Sequence, residues 1–222
     1  MPARNGPGGK GGAALPGNGL EALANEIYRA YEALPEADGV RVEPELLAEK
    51  LLGLKVVYRR LSRDGGILGI TAPEAVGVPV LEGGKPIWFF LDGRTILLEE
   101  RLLSPWVPAG RRRFTLMHEV SHRLLGGAGM AGEGEADRLA AALLMPEALL
   151  RRNLAALGWR AGPLPDRRLD PERWGTFAAL AETMGVSRQA LGIRMERLGL
   201  ARQRPGWTLR SAPVLIPGEQ EE

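Results

Sequence analysis

The chain has 222 residues, 45% of them hydrophobic, a formal net charge of +2 and no cysteine. That length suits one domain of moderate size with a small appendage. Without cysteine there is neither a disulfide nor a thiolate metal site, and nothing points to secretion. Charge is unevenly spread: residues 151–210 hold 12 arginines, no lysine and 5 acidic groups. A basic segment behind a near-neutral one suggests two jobs in one chain.

Residues 1–18 are rich in glycine and proline and are expected to be disordered. They lack the apolar stretch of a signal peptide, and no run of about 18 apolar residues follows. The expected setting is therefore cytoplasmic, with no membrane partner. Leu20, Leu23, Ile27, Tyr31 and Leu34 recur at helical spacing and predict an amphipathic helix. A short helix is expected at 44–52. LKVVYRRL (54–61) alternates and is rich in β-branched residues, so it reads as a strand, with 65–70 as its partner. IWFFL (87–91) and TILLEE (95–100) flank Asp92-Gly93-Arg94, which predicts a hairpin. Such a hairpin could offer an edge strand to an extended peptide. Helices are then expected at 112–125, ending at Gly126-Gly127, at 132–145 and at 147–157. Residues 158–172 read as a linker. The domain plan is a disordered 1–18, a core at 19–157, a linker at 158–172, a helix-turn-helix at 173–210 and a tail at 211–222.

FTLMHEVSH (114–122) contains both histidines of the protein. On a helix, residues four apart share a face, so His118 and His122 project two imidazoles toward one point. Zn²⁺ takes such nitrogens with a carboxylate as third ligand and keeps one position for water. Glu119, beside the first histidine, is placed to act as the base toward that water. This is His-Glu-x-x-His logic, the pattern of metalloproteases. With no further His or Cys, the third ligand must be a carboxylate, and the next helix, GEGEADRLAAALLMP, supplies them. Glu133 and Asp137 lie on one face, while Glu135 points about 200° from Glu133. Glu133 is favoured as ligand, because it leaves Asp137 free to hold a ligand histidine by its second nitrogen. Glu135 is the alternative register. For stabilising a developing oxyanion, Tyr28, Tyr31, Tyr58 or an arginine could serve.

RRRFTLMHEVSH followed by EGEADRLAAALLMP resembles the ImmA/IrrE family of zinc-dependent peptidases. The resemblance is close from about Arg112 to Pro146 and looser from residue 20 onward. It implies an α+β, zincin-like core with a His-Glu-x-x-His helix and a small antiparallel sheet, followed by a helix-turn-helix segment. It implies zinc, with Mn²⁺ as a possible substitute, on His118, His122 and Glu133. Glu119 would be the catalytic base, and Asp137 would match the Asn/Asp of the family pattern. Leu139 stands where the family usually has Phe. The implied activity is site-specific cleavage of a helix-turn-helix transcriptional repressor, releasing a DNA-damage or mobile-element regulon. IrrE-like proteins also carry a GAF-like domain, for which no room follows here.

TFAALAETMGVSRQALGIRMERLGL (176–200) reads as helix, turn, helix. Ala181, Gly185 and Leu191 fall where a small residue, a turn glycine and a core residue are needed, and Ser187 caps the second helix. Arg188, Gln189 and Arg194 are expected on its exposed side, where DNA or a partner would be met. Two functions are therefore weighed: a zinc endopeptidase, favoured, and a DNA- or protein-binding regulator with a structural metal.

Overall fold

A computed structural model describes residues 17–126 and 132–202. The expected disordered segment 1–18 lies outside these residues except for Gly17 and Asn18, which open the first helix. The tail at 211–222 and residues 127–131 of the glycine-rich turn also lie outside.

Helix α1 (Gly17–Glu32) buries Leu20, Ala24, Ile27, Tyr28 and Tyr31; of the expected stripe, Leu20, Ile27 and Tyr31 are buried, Leu23 is half-buried and Leu34 lies beyond the helix end. Helix α2 (Pro44–Leu46) runs directly into a π-helical turn (Leu47–Leu51). Strands β1 (Lys55–Arg59), β2 (Gly69–Ile70), β3 (Ala75–Glu82), β4 (Lys85–Asp92) and β5 (Thr95–Glu99) follow, and a 3-10 turn (Glu100–Leu103) leads away. The remainder is helical: α3 (Ala109–Gly126), α4 (Glu133–Leu144), α5 (Glu147–Ala156), α6 (Pro171–Thr183) and α7 (Arg188–Arg197).

The α+β class is as expected, but the strands pair differently from their reading in sequence. The small sheet comes in two pieces. β5 lies centrally in a mixed sheet ordered β1-β5-β2, parallel to β1 and antiparallel to β2. β3 and β4 form a separate antiparallel hairpin. Of residues 65–70, Gly69 and Ile70 form a strand, and it pairs with β5 and not with β1. The hairpin turn is Gly83-Gly84, both at positive φ, and not Asp92-Gly93-Arg94. Asp92-Gly93 does turn the chain, with Asp92 Oδ1 accepting from Arg94 N (2.9 Å) and Thr95 Oγ1 (2.8 Å). The run after it, TILLE, is buried at every position, the mark of a central strand and not of a hairpin arm. β3 has no counterpart among the expected strands, since Gly77 and Pro79 interrupt its alternation.

One hydrophobic cluster runs from Leu20 on α1 through Leu116, Met117 and Val120 on α3 and Leu139 and Leu143 on α4. It continues into Leu164, Phe177, Leu180, Leu191 and Met195. Residues 158–172, expected as a linker, thus place Leu164 in the core, and Pro163 bridges Arg202. Two buried arginines tie distant elements together. Arg113 on α3 bonds Glu43 (2.6 Å) and the Val42 carbonyl, and Gly185 packs against its guanidinium. Arg194 on α7 bonds both carboxylate oxygens of Glu21 and the Met145 carbonyl (3.0 Å).

Candidate metal centre

The site is built on the face of α3 opposite its core side. Leu116, Met117 and Val120 are fully buried, which anchors the helix and fixes where the intervening residues point. α4 packs alongside through Ala136, Leu139, Ala140 and Leu143, a spacing that turns Glu133 and Asp137 toward α3. Carboxylates at this helix start also suit the helix dipole.

Three side chains converge. His118 Nε2 and His122 Nε2 are 3.0 Å apart. Glu133 Oε2 lies 3.2 Å from His118 Nε2, and its Oε1 lies 3.4 Å from His122 Nε2. A tetrahedral ion with bonds of 2.0–2.1 Å holds its ligand atoms roughly 3.3 Å apart. The triangle of donors therefore has the size a small divalent cation requires, and among the described residues His118, His122 and Glu133 form such a group. The histidines are mostly covered, with 17% and 24% of their side chains exposed, whereas Glu133 is 81% exposed. The site thus opens to solvent on the α4 side.

Asp137 Oδ1 is 2.9 Å from His118 Nδ1. A carboxylate there accepts the Nδ1–H and leaves the Nε2 lone pair facing the cluster, the usual way a ligand histidine is oriented. Glu135, the alternative register, is not in the group.

Glu119 is buried, unlike the ligands, and its carboxyl is pushed up to about 7. Burial is the main cause; the His118 charge opposes it and Glu133 adds to it. The burial comes from β2. Gly69 lies directly against the Glu119 side chain, and a Cβ on Gly69 would sit 2.6 Å from both its Cγ and its Cδ.

A cleft of about 1040 Å³ joins these groups. One wall is the segment 66–73, and the other carries Phe114, Thr115, His118, Glu119, His122, Arg123, Glu133 and Asp137. Of this segment, the sequence marks only the part up to residue 70, and only as a strand. A glycine inside such a short apolar strand is the signal for close approach of another group. The hairpin expected to offer a peptide edge does not line the cleft; the β2 segment does.

None of the tyrosines reaches the site. Tyr28 bonds Glu32 and Arg152, the Tyr31 hydroxyl accepts Glu43 N–H, and Tyr58 bonds Glu45. Arg123 lines the cleft, and Thr71 Oγ1 is buried there without a hydrogen-bond partner among the described residues.

In the α6–α7 segment, Ala181 and Leu191 are buried, Gly185 turns at φ 63°, and Ser187 accepts from Ala190 N (3.0 Å). Arg188 is exposed and lies over the Trp174 ring, and Gln189 is half-buried. Arg194 departs from its expected exposed position. It is 2% exposed, because its guanidinium is spent on Glu21 and the Met145 carbonyl. It presents nothing to DNA.

No curated protein matches the chain. Residues 102–196 match a peptidase family described as the IrrE N-terminal-like domain. The matched stretch runs from the end of the 3-10 turn through α3 and α4 to α7, and so contains the whole donor triangle, Glu119 and Asp137. Over these residues the chain is similar to the peptidases of the ImmA/IrrE family.

Proposed function

We propose that the protein is a zinc endopeptidase that cuts a helix-turn-helix transcriptional repressor at one site, in the cytoplasm, to release a stress or mobile-element regulon. The observation that carries the peptidase reading is the meeting of His118, His122 and Glu133 donor atoms at 3.0–3.4 Å, with Glu119 buried beside them. The repressor and its regulon rest on the sequence resemblance. Zinc suits a two-imidazole, one-carboxylate donor set, and Mn²⁺ is the alternative metal.

His118, His122 and Glu133 would hold the cation, which supplies Lewis acidity to a substrate carbonyl and acidity to a water. Asp137 keeps His118 in the tautomer that presents Nε2. Glu119 removes a proton from the attacking water and returns it to the leaving amine. Its carboxyl, poised near neutrality by burial, is suited to both directions of transfer. The substrate strand lies between segment 66–73 and α3, where Ile67, Ile70 and Phe114 favour apolar side chains. Arg123 and Thr71 are the groups on the cleft wall available to a developing oxyanion.

The alternative, a DNA- or protein-binding regulator with a structural metal, loses one of its three expected α7 contacts, because Arg194 is consumed internally. The deciding experiment adds purified protein with Zn²⁺ or Mn²⁺ to lysate of its own host and maps new protein N-termini by mass spectrometry. A dominant new terminus inside a helix-turn-helix repressor, missing with Glu119→Gln, is the expected result. Absence of any metal-dependent terminus overturns the reading.

A further inference from the structure

We propose that Gly69 is a positioning residue: the bare backbone of β2 at this point fixes the side chain of Glu119 beside the His118–His122–Glu133 cluster. This rests on the peptidase reading of Glu119.

The argument begins with space. A Cβ built on Gly69 would stand 2.6 Å from Glu119 Cγ and Cδ and closer still to Oε1. Real carbon contacts do not reach such distances, so something must move. Backbone conformation is not the obstacle. Gly69 is not among the glycines at positive φ, and alanine is conformationally acceptable there.

The strand cannot give way easily. β2 is paired to β5 through Gly69↔Leu98 and Ile70↔Leu97, and Glu99 N donates to the Leu68 carbonyl (2.9 Å). Leu97 and Leu98 are fully buried, so β5 is held from behind. α3 is equally fixed, with Leu116, Met117 and Val120 fully buried. The soft element between these two walls is the Glu119 side chain. Contact at Cγ as well as at the carboxylate means that rotation of the last bond alone does not relieve the clash. An added methyl therefore changes the Glu119 rotamer and carries the carboxylate away from its place, while His118, His122 and Glu133 keep theirs. A misplaced base loses rate without loss of the metal.

The test is a double-mutant cycle on the full chain with three readouts. Gly69→Ala, Glu119→Ala and the double variant are compared for thermal midpoint, bound zinc per chain, and cleavage of whatever host protein the lysate experiment yields as substrate. Gly69→Ala is expected to lower the midpoint in the wild-type background and to lower it little or not at all in Glu119→Ala, where the colliding atoms are gone. Zinc content is expected to stay at the wild-type level. The turnover number is expected to fall at least about tenfold, toward that of Glu119→Gln, with little change in KM. Equal loss of midpoint in both backgrounds would show that Gly69 acts on the fold generally and overturns the proposal. Unchanged midpoint and turnover in Gly69→Ala would do the same. Should the wild type cleave nothing, the peptidase reading fails, and the midpoint cycle still decides whether Gly69 positions Glu119.

Discussion

Removing the charge of Glu119 should stabilise the metal-stripped protein at alkaline pH. The Glu119 carboxyl is raised from 4.5 to about 7, chiefly because burial under β2 disfavours its charged form. Below pH 4.5 it is protonated in both the folded and the unfolded chain and costs nothing. Between 4.5 and 7 the unfolded chain releases the proton while the folded one keeps it, so folding stability falls as pH rises. Above 7 the cost is complete, on the order of 3 kcal/mol at 1.36 kcal/mol per pH unit. Glu119→Gln keeps the shape and cannot ionise. In EDTA it should therefore match wild type near pH 4.5 and exceed it at pH 8 by roughly 2–3 kcal/mol, or about 5–10 °C in a chain of this size. The assay is thermal unfolding by circular dichroism from pH 4.5 to 9 on both proteins. The two proteins differ only at Glu119, so the difference between the curves isolates it. Curves that stay parallel over the whole range would refute the claim that the carboxylate is held charged at a cost.

Three further outcomes follow from particular contacts. Asp137→Ala removes the acceptor of His118 Nδ1 and should weaken metal affinity about 10–100-fold by competition with a chelating dye, leaving the fold intact. Arg194→Ala strands the Glu21 carboxylate beside α7 and should cost about 3 kcal/mol in urea unfolding, against little change for the exposed Arg188→Ala. Phe177→Ala empties a fully buried ring from the shared core and should cost about 3–5 kcal/mol in one cooperative transition. A separate early transition confined to the C-terminal helices would count against a continuous core.

The donor residues could be read from sequence because helical spacing is local. His118 and His122 share a face by the 3.6-residue period, and Glu133 and Asp137 share one for the same reason, so only the meeting of two helices had to be supplied. Strand pairing had no such local code. Asp92-Gly93 is a strong turn signal, yet the buried run TILLE is claimed by β1 from 40 residues earlier in the chain, a choice made by burial and not by the turn. Gly69 in a short apolar strand signals that some group comes close, but not which one. Its meaning lies in the Glu119 side chain 50 positions away. Arg194 shows the converse error: its place on α7 was legible, but the Glu21 and Met145 partners that bury it come from α1 and the end of α4.

The most direct test of the central claim is the metal content of purified variants after dialysis against a fixed low concentration of free Zn²⁺. The account predicts one ion per chain for wild type and for Glu119→Gln, and loss of that ion in His118→Ala, His122→Ala and Glu133→Ala. Retention of the ion by Glu133→Ala, or its loss from Glu119→Gln, would contradict the assignment of ligands and base.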